Sequence, residues 1–192
     1  MTPMMHERPP RGFTLPELLI VFAIVGVLLA AGMPSFRAYT QSQRLTTTAN
    51  EFLGALHLAR SEAIQRGSRV DLAPRDGNDW ESGWLVFVNK PGDGNLQFDA
   101  GDLLIYSRER VAAGLRIATT LSDKSAPYIA YNGNGRTRTN LSDRAPQWGS
   151  WQFSLDGETR LVRLGFLGRA RICNPADDRT CIFAQSATSA TN

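Results

Sequence analysis

Hydrophobic and polar positions follow three different rhythms along the chain. Residues 18–33 are sixteen consecutive uncharged positions. Together with 13–17 they make a helical segment about 31 Å long, the thickness of a bilayer's hydrocarbon core. Beyond Pro34 the apolar residues Phe36, Leu45, Ala49, Phe52, Leu56, Ala59 and Ala63 recur mostly at steps of three and four, while Arg44, Glu51, Arg60 and Glu62 fall largely elsewhere. Gly67 offers a stop. The spacing predicts one helix over 13–66, apolar all round in its first half and amphipathic in its second, with Pro34 and Thr46–Thr48 as weak points. From residue 69 the rhythm shortens to runs separated by Gly, Asn, Asp and Pro. These predict strands at 69–73, 84–89, 103–107, 115–118, 128–131, 150–155, 160–167 and 169–173. Many short strands without intervening helices imply antiparallel sheets. The expected class is α+β: a long N-terminal helix packed on a C-terminal antiparallel β-sheet head.

Composition adds little to this. A hydrophobic content of 42% and a charged content of 20% support a real core, and the net charge of +3 over 192 residues points to no partner. Charge matters more at one position. Glu17 is the only carboxylate near the apolar run, and a lone acid in lipid costs on the order of 2.5–3.5 kcal/mol, so it needs a partner. The nearest candidate is a free α-amino group at Phe13, of this chain or a neighbour, created by a cut after Gly12.

The stretch Gly12-Phe13-Thr14-Leu15-Pro16-Glu17-Leu18-Leu19 resembles the prepilin cleavage motif of type IV pilins and type II secretion pseudopilins. The resemblance implies that prepilin peptidase cuts after Gly12, that the new N-terminal Phe13 is methylated, and that Glu17 pairs with the N-terminal amine of the adjacent subunit. Two further segments, Ala59-Arg60-Ser61-Glu62-Ala63 and Trp80-Glu81-Ser82-Gly83-Trp84, resemble the GspH/FimT family of minor pilins and pseudopilins, whose type IV pilin-like fold is then expected. The alternative for the N-terminus is an ordinary secretory signal cut near Ala30-Ala31-Gly32, although Glu17 would then lie inside its apolar region. The expected division is a leader at 1–12, a transmembrane or filament-core helix segment at 13–34, the amphipathic second half of the helix at 35–67 and a β-rich head at 68–192. The expected location is the inner membrane with a periplasmic head, then a pilus or pseudopilus on the cell envelope. Expected partners are the peptidase, other major and minor pilins, and the inner membrane before assembly.

Candidate chemistry is sparse. His6 leaves with the leader, and His57 has no Cys or carboxylate at zinc-ligand spacing. No phosphate loop, nucleophile elbow or Ser-His-Asp set is present. The reading is no enzyme, no cofactor and no metal, which counts against a secreted enzyme on a signal anchor. The acidic stretch from Asp93 to Asp102 is open to two readings, a calcium loop or a long hairpin turn. Cys173 and Cys181 are expected to bridge in an oxidising compartment, the alternative being two buried thiols. The remaining signal is arginine. Between Asp123 and Arg171 there are eight basic and four acidic residues. Arg136 and Arg138, and again Arg169 and Arg171, stand two apart, which puts each pair on one face of an extended segment, about 7 Å apart. Such forks suit successive phosphates. Gly168-Arg169-Ala170-Arg171 also resembles the Gly-Arg-x-Arg element of FimT-type minor pilins that bind DNA for natural transformation. The alternatives are a minor pseudopilin of type II secretion, or a priming minor pilin for pilus assembly and twitching without DNA.

Overall fold

The computed structural model describes residues 14–90, 96–140, 142 and 145–183, apart from the side chains of 30–35, 37 and 38. Gly12, Phe13 and Asp93 lie outside the described residues. Helix α1 (Leu15–Arg66) is continuous over 52 residues, through Pro34 and Thr46–Thr48. It ends where expected. Gly67 adopts φ +60°; its N–H donates to the Ile64 carbonyl and that of Ser68 to the Ala63 carbonyl, satisfying carbonyls that the last turn leaves open.

The chain divides into two compact units, Met1–Thr40 and Gln41–Asn192. In the first, the apolar side chains are exposed, Phe22 by 65% and Val27 by 70%, and Phe36 by 71%. Phe36 therefore does not continue the buried stripe of the later helix, as its spacing had suggested. Glu17 stands exposed in the first turn of α1. Among the described residues no helix is long and apolar enough to cross a membrane.

The second unit carries the sheets. One has five strands in the order β3-β2-β1-β5-β6: β1 (Val70–Pro74), β2 (Trp84–Val88), β3 (Leu103–Arg108), β5 (Ile129–Tyr131) and β6 (Thr137–Arg138). The other has four in the order β4-β7-β8-β9: β4 (Arg116–Leu121), β7 (Gly149–Leu155), β8 (Glu158–Leu164) and β9 (Ala170–Cys173). Every pairing between strands is antiparallel. Strand β6 has only two residues and no periodicity to reveal it. Strand β8 stops at Leu164, short of the expected 167, because Gly165 opens a turn.

One face of each sheet meets the helix in a single core. Leu45, Ala49, Phe52, Leu56, Ala59 and Ala63 are fully buried along α1. Phe52 lies at the centre, edge-on to Trp80 and Trp84 and tilted against Trp151 and Phe153, with ring centroids 4.9–5.6 Å away. The small Ala59 and Ala63 let the sheets come close. Strand β1 is buried on both faces and carries Asp71 into the interior. Arg69 compensates that charge, its Nε reaching both carboxylate oxygens at 2.9 and 3.1 Å.

Candidate functional site

Arg169 and Arg171, one of the two arginine pairs singled out above, sit on the hairpin of β8 and β9. Its register places Arg163 directly opposite Arg171 and Leu164 opposite Ala170. Val162 and Leu164 point into the core, so alternation along the strand turns Arg163 and Arg171 to the other face. The connecting turn is tight. The Gly165 N–H donates to the Arg169 carbonyl and the Gly168 N–H to the Gly165 carbonyl, both at 2.9 Å. Gly168 takes φ +76°, a conformation that glycine adopts without strain. Arg163, Arg169 and Arg171, with Leu164 and Gly165, line an open cavity of about 260 Å³.

Three stacked layers of backbone set this turn in place. Gly133 lies so close to the helix end that a Cβ there would meet the Gly67 backbone at 2.6 Å. The turn from Asn132 to Arg136 thus rests on α1, held by the Asn132 carboxamide oxygen, which accepts from the N–H groups of Asn134 and Arg136. Gly168 in turn rests on that segment: a Cβ on it would lie 2.7 Å from the Gly135 carbonyl oxygen and 3.4 Å from the Arg136 Cα. The Gly168 carbonyl is then fixed by two donors, Arg60 Nη1 at 3.2 Å and the Tyr131 hydroxyl at 3.3 Å. Burial pushes the Tyr131 phenol above its ordinary range, so it remains a donor. Of the two charged residues flanking Ser61, Arg60 reaches another segment, whereas Glu62 pairs within α1, with Arg66 at 2.8 Å.

The structure brings Arg136 beside the Arg169 turn, exposed, but not Arg138. Arg138 is half-buried on β6, with its Nη1 on the neighbouring Thr137 carbonyl at 2.7 Å and its Nε buried. Of the pair expected to lie open on one face, Arg136 is exposed but Arg138 is half-buried, with its guanidinium turned to its own backbone. Arg163 was not among the expected residues. Its signal was its position, two residues before Gly165 as Arg171 is three after Gly168, but only the register makes that meaningful.

Cys173 and Cys181 form a disulfide. It closes a loop whose Thr180 carbonyl accepts from Arg163 Nη1 at 3.0 Å. The same loop carries Asp178. The Thr180 hydroxyl and N–H hold its carboxyl below the usual range, and the charges of Arg171 and Arg163 add to this. Two guanidinium groups, those of Arg171 and Arg163, therefore act on one carboxylate. Among the described residues Arg169 and Arg171 donate no side-chain hydrogen bond, which leaves two planar forks for a bidentate acceptor such as phosphate.

Elsewhere the chemistry is structural. His57 is exposed on α1. Among the described residues no cluster of three His, Cys, Asp or Glu side chains is placed to hold a metal. The Asp102 carboxylate, in the stretch read as either a calcium loop or a long hairpin turn, accepts from the N–H groups of Lys90 and Asp99, both at 2.9 Å, as in a turn.

A family profile described as Type II transport protein GspH matches residues 48–168. A second, described as Prokaryotic N-terminal methylation motif, matches residues 8–33. A curated fimbrial protein of Pseudomonas aeruginosa is 33% identical over 94 residues, which are 48% of this chain and 60% of that protein. The chain thus spans less than two thirds of the curated relatives it matches. The crystal structure of the type IV minor pilin FimU of Pseudomonas aeruginosa aligns with a TM-score of 0.55 at 18% identity, covering 72% of this chain and 94% of FimU. A second crystal form of FimU gives 0.50 at 16% identity, covering 68% and 94%. At such identity the likeness establishes the fold, which is the type IV pilin-like α+β arrangement.

Proposed function

Because the chain belongs to the family of GspH type II transport proteins, we propose that it is a minor pilin of a type IV pilus that binds extracellular DNA non-specifically for uptake in natural transformation. Members of this family are minor pilins and pseudopilins, structural proteins of the cell envelope rather than enzymes, and the methylation motif at 8–33 implies processing by prepilin peptidase and assembly with other pilins.

In this reading the peptidase cuts between Gly12 and Phe13, and residues 13–34 hold the chain in the inner membrane with the head in the periplasm until assembly. Glu17 then meets the amine of a neighbouring Phe13 in the filament. The observation that supports DNA as ligand is the convergence of Arg163, Arg169 and Arg171 on one open cavity, with Arg136 exposed beside it. Guanidinium forks without base-reading elements bind phosphate with little sequence preference, at about 10⁻⁴–10⁻⁶ M. Arg138, half-buried and held to the Thr137 carbonyl, is left out of this reading.

The experiment is a DNA titration of the full chain in uncharged detergent at several salt concentrations, beside the double variant Arg169→Gln with Arg171→Gln. If each arginine neutralises one phosphate, the slope of log K against log salt flattens by about 1.8 on duplex DNA. An unchanged slope would remove these two residues from the site. The second reading is a minor pseudopilin, or a priming minor pilin, without DNA. It is favoured by one feature: Asp178 and the Thr180 carbonyl already answer part of the arginine charge. No binding by the parent chain even at low salt would select it.

A further inference from the structure

The turn that carries the arginines also carries an aromatic ring in an unusual place. Phe166 and Leu167 occupy its two central positions and are 62% and 45% exposed. Turn tips ordinarily take Gly, Asn, Asp, Pro or Ser. An exposed Phe beside an exposed Leu gains nothing from the core, and it stands on a turn that is firmly held. Both ends of that turn are hydrogen-bonded to each other, and its last carbonyl is held by Arg60 and Tyr131. The ring is therefore presented from a fixed base.

We infer that Phe166 is a stacking platform for an unpaired nucleobase, so that the hairpin takes single-stranded DNA in preference to duplex. The inference rests on the DNA reading above and names the form of DNA. A β-turn spans less than about 7 Å between its ends, so the ring and Arg169 lie within about one nucleotide of each other. A single strand whose phosphates lie along Arg163, Arg169 and Arg171 has bases free to turn outward, and one of them reaches the ring. In a duplex the bases are paired and stacked inside, and the same phosphate contacts would leave the ring in water. Stacking tolerates any base, because every base has a π-face. Aromatic rings beside a basic groove are the usual means by which proteins hold single strands without sequence preference, and this hairpin supplies both within the nine residues from Arg163 to Arg171.

The test compares oligodeoxythymidine with a duplex of equal phosphate number, bound to the full chain in uncharged detergent. The parent should prefer the single strand. Phe166→Ala should lower single-strand affinity at least about fivefold, the lower end of one base–aromatic stack, and leave duplex affinity unchanged. Phe166→Trp should keep the preference and lose emission when the single strand binds. This second variant also guards against a misfolded alanine variant. Equal losses on both DNA forms, or none on the single strand, overturn the inference while leaving the arginine reading intact. Overturning it equally would be a Phe166→Ala variant that binds both forms as the parent does but no longer co-assembles with other pilins, for then the ring contacts protein. Failure of the parent to bind either form overturns both readings.

Discussion

Replacing Gly168 by alanine separates the shape of the arginine site from its charge. At φ +76° an L-residue is strained by about 1–2 kcal/mol. The new Cβ would also stand 2.7 Å from the Gly135 carbonyl oxygen. The obstacle is backbone, which cannot swing aside, so one turn must move off the other. Movement lengthens the bonds from Arg60 and Tyr131 to a buried carbonyl, a loss of about 1–3 kcal/mol. The total is about 2–5 kcal/mol. Gly157 supplies the control, with φ +86° and nothing within 4 Å of its added Cβ, so Gly157→Ala carries only the first term. Urea unfolding of the unit from Gln41 onward, followed by emission of its four tryptophans, measures both. Gly168→Ala should be the more destabilising by at least about 1 kcal/mol. It should also weaken DNA binding without altering the salt slope, since no charge is removed. Equal destabilisation by the two variants would refute the claim that the turns are in rigid contact.

Two other outcomes follow from the same reasoning. We predict that Glu17→Val leaves cleavage before Phe13 intact, seen by N-terminal sequencing, but reduces incorporation into filaments, because an apolar side chain attracts no amine; normal incorporation would exclude Glu17 from assembly. Stability of the head should fall at both ends of the pH range. Burial opposes ionisation of Asp123, but the hydroxyls of Tyr128 and Ser125 and the Ser125 N–H outweigh it and hold its carboxyl below the usual range. That contribution is present above the unfolded value of about 4 and is lost as pH falls below it. Burial and the Asp123 bond push the Tyr128 phenol up, so its contribution is present below about pH 10 and is lost as pH rises further. Urea midpoints against pH for the parent and Asp123→Asn test this, and an acid limb identical in the two would show that Asp123 contributes nothing.

Much of the architecture was legible because it rests on local patterns. The stripe from Leu45 to Ala63 has helical spacing and is buried; Gly67 stops the helix through its own backbone angle. Most strands announced themselves by flanking turn residues. What was illegible depends on contacts between distant segments. Strand β6 exists because β5 is beside it. The facing of Arg163 and Arg171 needs the hairpin register, and the seating of Gly168 on Gly135 and of Gly133 on Gly67 needs the tertiary fold. Arg60 was legible as a charge off the apolar stripe, but its partner, a backbone carbonyl 108 positions away, leaves no mark in a sequence. Phe166 was missed because a two-residue turn tip has no periodicity to violate.

The seating of the Gly133 turn on the end of α1, and of Gly168 on that turn, also has a mechanical meaning. A strand pulled away from the hairpin loads Gly168 first. From there the force passes through Arg60, and through the Asn132–Arg136 turn into Gly67, and so enters the last turns of the helix directly. The β8–β9 ladder is loaded at its turn end, which is closed by the Gly165–Arg169 bond and tied to α1 through the Gly168 carbonyl, and this resists peeling one bond at a time. Under tension the phosphate contacts should therefore give way before the head unravels. In single-molecule pulling on captured DNA, rupture should occur in one step, with no lengthening from unfolded protein before it.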